Sequence, residues 1–300
     1  ITIYDVFFNC IIEEARGKDR HGSCGAGLWE AVNRSKAGYV IKASDFYLDE
    51  KELKKKLLDI RDKYYGDRFV QAGVEFTMAS EWYDIWYSDI ALGNYMDLFY
   101  RMKDAVVLTD EKVILNRWHN QVYEGAQGLL LDWDNREYMP NLTASYTGSR
   151  NVIKLLKQID DEVEVEVCYV TRTYFTRHGA GRFETETTRE NLDSGLTETT
   201  NITNRWQGEF RWGYFDKDLF LNTIGKDSRL WDDYRYAIKR TVAFTHANCT
   251  DEQLLMPDGR MKIEEFVKLL PADYKEYYCC QSRTAKGVET KLGRGITQVA

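Results

Sequence analysis

The chain has 300 residues, 43% of them apolar and 14% aromatic, with a net charge of −7 and a pI near 5.4. That length can bury one large core or two modest ones. The acidic balance argues against a general nucleic-acid binder, which would show a basic face, and no apolar run approaches the ~18 residues needed to cross a bilayer.

Residues 1–16 read as a helix with Val6, Phe7, Ile11 and Ile12 on or near one face. Asp49 is placed to cap a second helix running through Lys63, where Leu53, Leu57, Ile60 and Tyr64 recur at helical spacing. Residues 80–104 form a third expected helix, loaded with Trp82, Tyr83, Trp86, Tyr87, Tyr95, Phe99 and Tyr100. A stripe of that kind reads as a packing or dimer surface rather than a stacking platform for bases. Short β-rich runs follow at 105–108, 113–115 and 121–123, and Val163-Glu-Val165-Glu-Val167 alternates with period two. Residues 216–224 read as a helix, 241–245 as a buried strand, and 261–270 as a helix stopped by Pro271. Alternating strands and helices argue for an α/β architecture with a largely parallel sheet. Three prolines and no low-complexity tract mark no linker, so a single domain over 1–300 is expected. Six cysteines without a Cys-x-x-Cys pair point to reduced thiols and a cytoplasmic setting.

The densest chemical signal is Glu124-Gly125-Ala126-Gln127-Gly128-Leu129-Leu130-Leu131-Asp132. Its small residues let a ligand approach the main chain, and Gln127 stands where it can touch that ligand. Junctions of this kind are where open α/β sheets bind small molecules. Gly22-Ser23-Cys24-Gly25-Ala26-Gly27 offers backbone N–H groups and a hydroxyl suited to a phosphate. Arg172, Arg177, Arg205 and Arg211 can supply a local positive cluster for small anionic substrates.

The 124–132 segment resembles a signature of the adenylosuccinate synthetases. Three further segments match that family in order. They are Gly22-Ser23-Cys24-Gly25-Ala-Gly27, the run from Tyr169 through Arg172, Tyr174, Thr176, Arg177, Gly179 and Gly181 to Glu186, and Arg211-Trp-Gly213-Tyr-Phe-Asp216. The resemblance implies a central, largely parallel sheet flanked by helices, and a homodimer. It implies a ligase for small molecules: a purine nucleoside monophosphate, L-aspartate and a nucleoside triphosphate with Mg²⁺. The triphosphate's γ-phosphoryl goes to O6 of the purine, and the amine of aspartate then displaces phosphate.

Residue by residue, the resemblance assigns Gln127 to the purine's N1/O6 edge as the catalytic contact. Ser23, Cys24, Arg34, Gly125 and Thr143 join it around the nucleotide, with Arg34 lying near the family's basic residue that reaches across a dimer to the partner's nucleotide. Thr203, Asn204, Arg205, Gly208 and Arg211 fall to aspartate, whose carboxylates need bidentate guanidinium donors. Where the family carries Lys-x-Asp for guanine, this chain has His246-Ala247-Asn248. An Asn amide has one donor side and one acceptor side, so Asn248 suits adenine and points to ATP or dATP, with GTP as the alternative. Tyr138-Met-Pro140-Asn-Leu-Thr143-Ala-Ser145 and Asn201-Ile-Thr203-Asn204-Arg205-Trp206-Gln207-Gly208 depart toward the phage branch. That branch joins aspartate to dGMP on the way to 2-aminoadenine, which would place a phage-encoded chain in the host cytoplasm. Nothing here matches the family's N-terminal phosphate loop, which supplies the metal site and the general base, so no metal ligands are expected in this chain. IMP with GTP, a purine-nucleotide phosphotransferase, and a non-catalytic binding or assembly protein built on the same fold stand as alternatives.

Overall fold

The computed structural model describes residues 1–159, 163–201, 203, 205–235, 237–282 and 285–292. It divides into two compact units: 1–122 with 139–145 and 204–208, and 123–138 with 146–203 and 209–300. Each is described by itself.

The first unit is helical. Helix α1 (Ile3–Arg16) begins at a capping box in which Thr2 and Asp5 exchange side-chain to backbone bonds. Its buried face is Tyr4, Phe8, Ile11 and Ile12, spaced i, i+4, i+7, i+8. The expected Val6 and Phe7 flank that stripe half-buried. After α2 (Leu28–Lys36), Asp49 accepts from the Glu52 amide and caps α3 (Glu50–Asp59). A π-helical turn (Ile60–Tyr64) leads into α4 (Tyr65–Gln71), and Leu53, Leu57, Ile60, Tyr64, Tyr65 and Phe69 close on α1.

The expected helix over 80–104 is two helices, α5 (Tyr83–Trp86) and α6 (Asp89–Met102). Ser88 caps the second one through the Ala91 amide, and that cap ends the first. The aromatic stripe is largely core: Trp86 is 2% exposed and Phe99 9%. Trp86 meets Tyr4, Tyr65, Phe69 and Phe76 at ring distances of 5.3–5.8 Å.

The strands expected at 105–108, 113–115 and 121–123 do not form. Residues 113–115 lie in α7 (Glu111–Arg117), capped by Asp110, and the other two runs are irregular. Val107 is 86% exposed and Val122 96%. β-branched residues favour a strand only where a neighbouring strand or core accepts them, and no described strand pairs with this stretch.

The second unit carries the α/β architecture. After α8 (Arg150–Leu156) come β1 (Val165–Arg172), β2 (Phe175–His178), β3 (Glu186–Thr187), α9 (Arg189–Leu192) and β4 (Phe210–Gly213). Then follow α10 (Lys217–Ser228), β5 (Ile238–Thr245), β6 (Gln253–Met256), β7 (Gly259–Lys262), α11 (Ile263–Phe266), β8 (Glu276–Cys280) and β9 (Val288–Leu292). The main sheet has the order β1-β5-β8-β9, with β1, β5 and β8 parallel and β9 antiparallel. Side chains from α10 and α11 pack with β1, β5 and β8 around Val242, Phe244, Phe215 and Phe266, and α8 adds Ile153 and Leu156 beside Val165 and Val167. β2, β4 and β3 make a small antiparallel sheet, and β6–β7 a hairpin. That hairpin takes the start of the helix expected over 261–270, leaving only α11 and a 3₁₀ turn before Pro271. The fold class read from the sequence is the one found.

Candidate functional site

In the helical unit the site is the turn between α1 and α2. Gly22, Gly25 and Gly27 all take positive φ, from 69° to 77°, which only glycine adopts freely. The turn folds over its own acid. Glu13, 3% exposed, accepts from the amide of Gly22 at 2.8 Å, from those of His21 at 3.3 Å and Ser23 at 3.5 Å, and from Arg16 at 2.7 Å. The Ser23 hydroxyl donates to Asn9 Oδ1 and accepts from Asn9 Nδ2 and from the Gly25 amide. Amides expected to cradle a phosphate thus point at a carboxylate already in place. Cys24 is exposed and Thr143 half-buried; Asn141 ties their two segments by donating to the His21 carbonyl at 2.7 Å. Burial pushes the His21 imidazole below its ordinary value, and the Arg16 charge adds to this.

Arg34 is an interior residue, 2% exposed. Its Nε and Nη2 donate to the two Asp5 oxygens at 2.7 and 3.0 Å, Nη1 donates to the Tyr39 carbonyl, and Tyr65 donates to the same Asp5 at 2.5 Å. Within this chain the Arg34 guanidinium is therefore engaged with Asp5 and the Tyr39 carbonyl. Arg205 is exposed and pairs with Glu14 and Glu81, the latter bond being the main influence raising its pKa. Gly208 sits at φ 84° with open space where a Cβ would be. Asn204 lies outside the described residues.

In the α/β unit the 124–132 loop is braced from below. A Cβ on Gly125 would lie 2.5 Å from the Thr147 carbonyl oxygen, so this glycine admits the close approach of the chain's own backbone. Asp132 accepts from the Thr147 amide at 2.7 Å, and the Thr147 hydroxyl donates to the Gly128 carbonyl at 3.2 Å. One layer deeper, Asp227 takes the Ser149 amide and hydroxyl at 2.8 and 2.5 Å and the Tyr169 hydroxyl at 2.9 Å. Burial, then the Asp227 charge, push the Tyr169 hydroxyl far above the usual phenol range. Gln127 is exposed on top of this scaffold.

Arg211 grips Glu186 through Nε and Nη2 and donates from Nη1 to the Gly179 and Gly181 carbonyls, so it orders the β2–β3 connection. Directly across the ladder stands Arg177, whose guanidinium burial, then Arg211, shift downward. Arg172 pairs with Glu198 at 3.1 Å. Burial alone would raise that carboxyl, but bonds from Thr200, Asn201 and Arg172 outweigh it and hold it well below the usual range. Thr203 and Asn248 are exposed; His246 takes a left-handed turn at φ 60° just before Asn248. Among the described residues, no three His, Cys, Asp or Glu side chains come together to hold a metal ion.

Comparisons with known proteins bear on these geometries. A sequence model of the family described as Adenylosuccinate synthetase matches residues 1–224. The chain belongs to the adenylosuccinate synthetase family. It is 30% identical to the adenylosuccinate synthetase of Clostridium botulinum over 196 residues, covering 64% of this chain and 43% of that protein. Against the adenylosuccinate synthetase of Saccharopolyspora erythraea it is 28% identical over 222 residues, 72% of this chain and 48% of the relative. The chain thus spans about half the length of the curated relatives it matches. Among solved structures, a fully ligated adenylosuccinate synthetase from Plasmodium falciparum superposes with a TM-score of 0.57 at 17% identity, over 96% of this chain and 62% of that one; at that identity the likeness is one of fold. The family match takes in the Gly22–Gly27 turn, the 124–132 loop and Arg211, while His246 and Asn248 fall beyond it.

The sequence motifs did not reveal Glu13, Thr147 or Asp227, and they contained Trp206 without marking its role; all four hold the loops in shape. Glu13 carried a faint signal, an acid at the end of an amphipathic helix next to a glycine-rich turn. The other three act through contacts distant in sequence.

Proposed function

We propose that the chain carries nucleotide- and aspartate-binding parts of a purine nucleotide–aspartate ligase. The observation that carries the reading is the 124–132 loop: its backbone is fixed by Gly125, Asp132 and Thr147, and it leaves one exposed amide, Gln127, on a family signature. A primary amide both donates and accepts, as the N1/O6 edge of a 6-oxopurine requires. Cys24 and Thr143 serve the monophosphate through thiol and hydroxyl groups, since the Gly22 and Ser23 amides serve Glu13, and Ser23 joins them by turning its O–H from Asn9 to the phosphate. Thr203, Arg205, Gly208 and Arg211 are proposed for aspartate together with Asn204.

The acceptor we favour is dGMP, with ATP or dATP as phosphoryl donor. Asn248 supports the donor assignment because its exposed amide can pair with the edge of adenine. Both stages concentrate negative charge, so positioning and positive groups dominate the chemistry. Mg²⁺ would neutralise the triphosphate, and among the described residues no group of three His, Cys, Asp or Glu side chains is placed to hold it. A second reading, IMP with GTP, is supported by the relatives, which bear the name adenylosuccinate synthetase. Incubation with dGMP or IMP, aspartate, Mg²⁺ and ATP or GTP decides between them. A succino-nucleotide from dGMP with ATP is expected; turnover of IMP with GTP alone would sink the dGMP assignment. Nucleotide binding without any succino-nucleotide would favour a non-catalytic binding protein, and phosphate release independent of aspartate a phosphotransferase.

A further inference from the structure

Within the helical unit, the segment assigned to aspartate rests directly on the turn assigned to the nucleotide phosphate. Gly25 lies against the Trp206 indole: a Cβ there would stand 2.5 Å from Cδ1, 2.9 Å from Cγ and 3.2 Å from Nε1. Arg20 Nη1 donates to the Arg205 carbonyl at 2.8 Å, joining the same two segments through the main chain. The Arg205 guanidinium lies 4.8 Å from the Trp206 ring centre and pairs with Glu14, which also accepts from Trp82 Nε1 at 2.7 Å. Trp82 in turn packs 6.0 Å from Trp206. Beneath Gly25, the turn is fixed by Glu13 and Asn9.

We infer that Trp206 is a positioning residue that couples the two substrate segments, so that the state of the Ser23–Gly25 turn sets the placement of Arg205 and Gly208. The physical reason is close packing. With no Cβ on Gly25, the indole has no slack beneath it, and a shift of a few tenths of an ångström in the turn must be answered by the ring. The ring carries Arg205 on one side and the chain to Gly208 on the other. A nucleotide phosphate reaching Ser23 and Cys24 would therefore organise the aspartate segment without touching it, and the coupling is reciprocal. This inference rests on the ligase reading for the identity of the two substrates; the mechanical link between the segments does not.

The test has two arms. In steady-state kinetics with the full chain, Trp206→Ala should raise the KM for aspartate and the KM for the nucleotide by similar factors, about tenfold, each measured with the other substrate saturating, and be largely rescued by Trp206→Phe. A change confined to one KM, or no change in either, overturns the coupling. The second arm needs no activity. Gly25→Ala forces a methyl into the indole and should speed amide hydrogen exchange at residues 205–208 about tenfold. Trp206→Ala should do the same, and the double variant should not exceed the larger single effect. Unchanged exchange in Gly25→Ala, or strict additivity, overturns the inference whether or not the chain makes a succino-nucleotide. Absence of that product in the wild-type chain counts against the ligase reading alone.

Discussion

Two glycine-rich loops in this chain look alike in sequence and are held in different ways. The Gly22–Gly27 turn is supported by ions: Glu13 fills it, and Gly27 lies against the Asp5 backbone, where a Cβ would be 2.5 Å from the carbonyl carbon and oxygen. Asp5 is itself locked by Arg34 and Tyr65. The 124–132 loop is supported by its own main chain, with Gly125 against the Thr147 carbonyl and Asp132 on the Thr147 amide. In both, glycine answers an internal demand. A glycine-rich motif therefore need not mark where a ligand touches backbone; the polar side chains left exposed, Cys24 and Gln127, are better pointers.

The contrast can be broken at its supports, beginning with the strongest. Arg34→Met removes one member of a buried pair and leaves Asp5 without its cation, a change that typically costs ~3–5 kcal/mol. The expected outcome is a large fall in the urea midpoint of the chain, with the Gly22–Gly27 turn loosened through Gly27. If stability held while nucleotide affinity dropped, Arg34 would be a ligand residue after all and the interior role would be wrong. Gly125→Ala tests the other loop. The methyl meets a carbonyl oxygen, and overpacking of this kind costs ~1–3 kcal/mol. Gln127→Ala on the same loop touches nothing that braces it and should leave the midpoint within ~0.5 kcal/mol. A Gln127→Ala variant as destabilised as Gly125→Ala would show that the amide is a structural brace.

What the sequence made legible follows the same division between local and distant causes. Helix α1, helix α3 and α10 were readable because periodic apolar residues sit next to caps: Thr2, Asp49 and Asp216. Strands β1 and β5 were readable from alternation and from a short apolar run. The stretch 105–123 was misread because a β-branched run shows propensity, whereas a strand needs a partner. The β6–β7 hairpin has a local signal, Pro257-Asp258-Gly259 between the apolar run 254–256 and the alternating run 260–263, which competes with the helical reading of 261–270. At the site, the motifs gave the residues facing outward. Of the acids that hold the loops they gave Asp132 but not Asp227, which meets Ser149 across 78 positions of sequence.

The smallest predicted effect separates the ionic turn from the main-chain loop by pH. His21, at the entrance of the turn, is half-buried, and its pKa is lowered first by burial and second by Arg16, with Glu13 opposing. Its unfolded value is near 6.5. Because the folded value lies lower, the unfolded chain binds more protons between the two, and stability there rises with pH. The contribution is complete above about pH 6.5 and is lost as pH falls through the folded value. Urea midpoints at pH 7.5 and pH 5.5 should therefore differ more in the wild-type chain than in His21→Gln, which keeps a polar side chain but cannot titrate. Equal differences would mean that the imidazole is as well solvated in the fold as out of it. The turn would then be more open than its hydrogen bonds to Glu13 indicate, and the contrast with the 124–132 loop would narrow to the Arg34–Asp5 pair alone.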